Sequence, residues 1–127
     1  MKLNAKELEN KKAWEEAGFV LPEFDREAVT KATKENPQWI HLGAGNIFRA
    51  FPAAVLQKLL NEGHMKTGLI VAEGYDYEII DKMYAPHDNL SLLVTLKANG
   101  TIEKNVIGSI VESLQMDENN EKDFGRL

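Results

Sequence analysis

Ile40-His41-Leu42-Gly43-Ala44-Gly45-Asn46-Ile47-Phe48-Arg49-Ala50-Phe51 decides how this chain is read. Trp39 to Leu42 is a short apolar run that predicts a strand. Gly43-x-Gly45 predicts a tight turn, and the apolar spacing beyond it a helix reaching to Glu62. In that order, bare backbone amides at a turn face the positive end of a helix, which suits a nucleotide pyrophosphate. The first glycine permits the turn, and the second lets a phosphate approach the backbone. Phe48 stands where G-x-G-x-x-G has its third glycine, so close approach of helix and strand needs Ala50 as the small residue instead. Gly43, Ala44, Gly45, Asn46 and Ile47 are the candidate cofactor-binding residues. Arg49 joins them if it meets a phosphate oxygen, the alternative being an exposed place on the first turn.

Downstream, Val55, Leu56, Leu59 and Leu60 mark one buried helix face, and Gly63 its stop. Pro52 is awkward in a helix interior. Either the helix is kinked there, or its first full turn begins at Pro52 and residues 46 to 51 form a loop. Leu69-Ile70-Val71-Ala72 is continuously apolar, as a parallel strand buried on both faces should be. Strand, helix and strand make a βαβ unit with a right-handed crossover. At the end of its second strand, Glu73 and Asp76 are candidates for binding the adenine ribose hydroxyls, although they lie further from Gly43 than the usual ~20 residues. A 2′-phosphate beside either carboxylate meets a repulsion of about 1–4 kcal/mol per charge pair, which favours NAD over NADP.

The flanking regions read more simply. Residues 4 to 17 predict one short helix, with Asn4 as its N-cap and Gly18 as its end. Leu21-Pro22-Glu23-Phe24 is an extended linker, and Asp25 caps a second helix to about Lys34. The first 36 residues thus form a helical arm, and residues 37–127 an organised core. Residues 77 to 84 predict a short helix stopped by Pro86. The β-rich runs 90–96 and 101–111 flank Asn99-Gly100 as a hairpin. Beyond Met116 the chain is polar, with Asp123 the one candidate cap.

Composition narrows the function classes. A net charge of −5 gives no general attraction to nucleic acid or anionic membranes, so any anion site is built locally. With no cysteine, disulfides and thiolate metal sites are excluded, and a cytoplasmic setting is the default expectation. His41, His64 and His87 lack metal-ligand spacing, and no acid–base pair is identifiable, so no metal or catalytic residue is assigned.

His41 to Phe51 resembles the opening of the mannitol dehydrogenase family of long-chain polyol and uronate oxidoreductases, with the fructuronate reductase (D-mannonate oxidoreductase) subgroup most similar. The likeness continues through Asp88-Asn89-Leu90, Leu93-Val94-Thr95-Leu96 and Val106-Ile107-Gly108-Ser109-Ile110, and includes Trp14, Gly18 and Leu21 to Asp25. The resemblance implies NAD as cofactor and a sugar acid or polyol as substrate, interconverted between ketone and secondary alcohol, as in fructuronate and mannonate. It also implies a lysine base in a second, helical domain to which nothing here corresponds. The expectation is therefore an α/β chain: a partial Rossmann-type domain, made of a βαβ unit plus a β-hairpin, behind an N-terminal helical arm. Such a chain is an N-terminal fragment, inactive alone; the alternative is a stand-alone nucleotide-sensing or interaction module.

Overall fold

The computed structural model describes residues 1–127. Its elements are α1 (Ala5–Leu8), α2 (Lys11–Glu16), β1 (Phe19–Val20), α3 (Arg26–Glu35), β2 (Ile40–Leu42), α4 (Asn46–Ala50), α5 (Pro52–Asn61) and β3 (Leu69–Glu73). A π-helical turn (Ile80–Tyr84) and a 3₁₀ turn (Ala85–His87) lead into β4 (Ser91–Leu96), β5 (Ile102–Ile107), β6 (Ile110–Gln115) and α6 (Glu121–Arg126). The strands form two sheets. One is wholly parallel, in the order β2-β3-β6; the other has the order β1-β5-β4. The mixed α/β architecture with parallel strands is the one the sequence predicts.

The parallel sheet is organised by β3. Leu69 to Ala72 are buried on both faces, between β2 on one side and β6 on the other. Each fully buried aliphatic side chain contributes roughly 1.5–3 kcal/mol, enough to exceed the 1–2 kcal/mol of backbone entropy lost per ordered residue. On one face of β3 the α5 residues Ala53, Leu56 and Leu60 join Leu69, Val71, Ile80 and Tyr84 in the main core. On the other, Ile70, Ala72 and Leu114 form a small cluster of their own.

Several local expectations need correction. The predicted helix over residues 4–17 is broken in two, because Asn10 turns its side chain onto the Ala13 N–H and caps a fresh start. Both alternatives at Pro52 are partly realised. Residues 46–50 are helical, the backbone departs from helix at Phe51, and α5 begins at Pro52, where the absent N–H is harmless. Ala50 does not take the small-residue role: it is exposed, and Ala53 is the fully buried residue, its carbonyl accepting from Ser109 Oγ at 2.6 Å. Asn120, not Asp123, caps α6; Asp123 instead accepts from the Gln115 N–H.

The second β-rich run is the largest difference. Its first half pairs with β4 as the expected hairpin about Gly100, but at Gly108-Ser109 the chain leaves that sheet and β6 continues in the other. Arg26 pins this switch, its guanidinium donating to the carbonyls of Gly108 (3.1 Å), Ile110 (3.0 Å) and Asp88 (2.6 Å). The first 36 residues are woven into the same construction. Phe19 and Val20 pair with Lys104 and Asn105, while Trp14 and Leu21 pack on Leu90 and Val106. Thr33 Oγ1 accepts from the Gly68 N–H at 2.8 Å.

Candidate functional site

The site is the turn between β2 and α4, with what the end of β3 and the π-helical turn bring to it. Gly43 has φ of +108°, a backbone state that L side chains rarely adopt, so its glycine is required by the turn itself. Its N–H closes the β2–β3 ladder on the Ala72 carbonyl at 2.7 Å. A Cβ placed on Gly43 or on Gly45 meets nothing within 4 Å, so the space over both is open. The N–H groups of Gly45, Asn46 and Ile47 have no acceptor in the chain, as expected for the first turn of a helix without a side-chain cap. Open space above unpaired amides is what a phosphate needs, and the residues present fit such a group.

Ala44 lies between the two glycines and is fully buried. Its N–H donates to Glu73 Oε1 at 2.9 Å, and its carbonyl accepts from the Tyr84 hydroxyl at 3.0 Å. The other Glu73 oxygen accepts from the N–H groups of Tyr75 (3.1 Å) and Asp76 (3.4 Å). These bonds hold the Glu73 carboxyl below the usual carboxylate range: the Ala44 amide is the main cause, partial burial opposes it, and the amides of Tyr75, Asp76 and Gly74 add to it. Burial pushes the Tyr84 phenol up to about 12, with the Arg49 charge opposing and the Glu73 charge adding to the rise, so the hydroxyl remains a donor at neutral pH.

The structure therefore brings Ala44 and Glu73 into direct contact across 29 residues. Arg49 donates to the Asn46 side chain on the same turn and lies over the Tyr84 ring, 5.5 Å from its centroid. Ile47 points outward and is 83% exposed. Asp76 is exposed at the rim, with no hydrogen bond to its carboxylate. Phe48, in the place of the third glycine, is buried and stacks on His41 at 4.2 Å between ring centroids. Tyr84 went unnoticed in the sequence. The signal available was a tyrosine four residues after Ile80, on the same helix face; both are buried.

No protein-family model matches the chain. It is 52% identical over 117 residues to the D-mannonate oxidoreductase of Thermotoga maritima, a match covering 92% of this chain and 22% of that protein. Among solved structures it is similar to Pseudomonas fluorescens mannitol 2-dehydrogenase in a ternary complex with NAD and D-mannitol. There the TM-score is 0.71 and the identity 26%, over 96% of this chain and 23% of the other. A substrate-free D-sorbitol dehydrogenase shares the fold at TM-score 0.68 and 20% identity, over 87% of this chain and 22% of the other. The chain thus spans about a fifth of the length of the relatives it matches.

Proposed function

This chain is a relative of D-mannonate oxidoreductase and of the mannitol dehydrogenases, and on that premise we propose that it is the NAD-binding part of a longer oxidoreductase. The observation that carries the proposal is the open turn: unpaired amides of Gly45, Asn46 and Ile47 facing free space, with Glu73 at the adjacent strand end. The turn receives the pyrophosphate, with Arg49 on the first helical turn as the nearest cation. NAD supplies the hydride acceptor for oxidising a secondary alcohol to a ketone. Glu73 spends three of its roughly four acceptor positions on backbone amides, so Asp76, with both oxygens free, is the better placed partner for the ribose hydroxyls.

The substrate is a sugar acid or polyol, with the fructuronate–mannonate pair as the first choice. Residues 37–127 form the incomplete dinucleotide-binding domain, braced by residues 1–36. The groups that move the substrate's proton lie outside this chain, which is inactive alone. The strand order β2-β3-β6 supports this, because it is one half of a doubly wound sheet, with the glycine-turn strand at an edge where the other half would add.

Calorimetric titration of the chain with NAD and NADP tests the proposal. Saturable binding of NAD, at least about fivefold tighter than NADP, is expected from the carboxylate repulsion of about 1–4 kcal/mol. Discrimination should relax in Asp76→Asn. Equal affinity for both nucleotides, or no binding of either, sinks it.

A further inference from the structure

We propose that Glu73 and Tyr84 are positioning residues that fix the two peptide planes flanking Ala44, so that the turn holds its nucleotide-receiving shape before a nucleotide arrives. The proposal builds on the NAD-binding reading above and says how that site is kept in order.

A trans peptide unit is planar, with its C=O and N–H pointing in opposite directions, so fixing one end fixes the other. In the Gly43–Ala44 unit the N–H is held by Glu73 Oε1 at 2.9 Å, and the Gly43 carbonyl lies 3.1 Å from His41 Nδ1. That contact is a hydrogen bond when Nδ1 carries the ring proton. In the Ala44–Gly45 unit the carbonyl is held inward by the Tyr84 hydroxyl at 3.0 Å. The Gly45 N–H must then point away from Tyr84, and it is one of the amides that has no acceptor in the chain. Tyr84 thus aims an amide it does not touch.

The clamp sits where the backbone most needs one. Gly43 and Gly45 flank Ala44, and glycine resists rotation of its neighbouring peptide units least of all residues. Ala44 is fully buried, so water does not compete for its N–H or carbonyl. The clamping side chains come from the end of β3 and from the turn that follows it. Glu73 is the last residue of that strand, and Tyr84 closes the π-helical turn, in which Ile80 and Tyr84 are both buried. Turns of this kind recur at functional sites. Arg49 over the Tyr84 ring ties the first turn of α4 to the same post.

The test combines amide hydrogen exchange by NMR with NAD titration, both on the 127-residue chain. Tyr84→Phe keeps the ring in the core and removes only the hydroxyl. It is expected to weaken NAD binding about tenfold and to speed exchange of the Ala44 amide by a similar factor, the scale of one lost buried hydrogen bond. Exchange in β3 and β6 should be unchanged. Glu73→Ala should speed Ala44 exchange at least about tenfold, and Glu73→Gln, whose amide oxygen still accepts, should restore most of the protection. Ala44 exchange and NAD affinity within twofold of wild type in Tyr84→Phe overturn the proposal. Faster Ala44 exchange in both loss variants of a chain that never binds NAD would leave the clamp standing and remove the NAD reading.

Discussion

Gly43 and Gly45 look equivalent in sequence and are not. Gly43 needs its positive φ; Gly45, at φ −75° and ψ −179°, is in ordinary extended backbone. Gly43→Ala is therefore expected to cost about 1–2 kcal/mol of stability from strain alone, seen as a melting temperature lower by roughly 4–8 °C. Gly45→Ala should leave the melting temperature within about 2 °C of wild type, because its Cβ meets nothing in the protein. It should nevertheless weaken NAD, since that Cβ occupies the space over the turn. Thermal scans and titrations of the two variants separate the roles, and equal loss of stability in both would refute the assignment. Glu73 adds a pH dependence. Its folded pKa lies below the ordinary 4.5, so its stabilisation is complete above that pH and is lost as pH falls through the depressed folded value. The melting difference between wild type and Glu73→Ala should accordingly shrink on acidification below pH 4.5. The turn at Gly43 and the strand end at Glu73 were legible because punctuation residues carry their reason locally, whereas the bond of Glu73 to the Ala44 amide, 29 residues away, was not. Nor was Tyr84, since its spacing from Ile80 marks only a buried helix face and the partner that gives its hydroxyl a role lies 40 residues away.

Elements followed the same division between local and distant causes. β2, α5 and β3 were readable because their apolar patterns are continuous and end on Gly43, Gly63 and Glu73. β1 was hidden, since two residues carry no periodicity and their partner is β5, 85 residues away. The split of residues 101–111 between two sheets was also hidden, as Gly108-Ser109 interrupts the run by only two residues, which a bulge within one strand would explain equally well. What makes the switch is tertiary: Arg26 holds the carbonyls on both sides of it, and a Cβ on Gly68 would lie 2.6 Å from the Ser109 carbonyl oxygen. Arg26→Ala is expected to cost about 2–3 kcal/mol in urea denaturation, the scale of hydrogen bonds to a charged donor. Gly68→Ala should cost roughly 1–3 kcal/mol, because backbone rather than a flexible side chain must move aside. Unchanged midpoints in both would mean that the sheet switch is held elsewhere.

For the molecule as a whole, the parallel sheet has two edges, and β2 is the one that carries exposed apolar side chains. It pairs with β3 on one side only. On the sheet face that holds buried Ile70 and Ala72, the β2 residues Ile40 and Leu42 are 46% and 64% exposed. Ile47 on α4, Phe51 at the break between the helices, and Val55 on α5, which the apolar spacing places on the buried face, are exposed as well. An apolar edge strand with free hydrogen-bonding groups is a template for another strand. In the longer enzyme proposed here, the second half of the sheet would cover it; in the chain alone, a second copy is the available cover. Sedimentation velocity should therefore show association that grows with concentration over the micromolar range. Leu42→Lys places a charge on the edge at an exposed position, and should shift the chain toward monomer while leaving its melting temperature nearly unchanged. A chain that stays monomeric at every concentration, with or without the lysine, would mean that this edge is not sticky. An edge that tolerates water needs no further strands to cover it, and nothing in the sheet would then call for a second half.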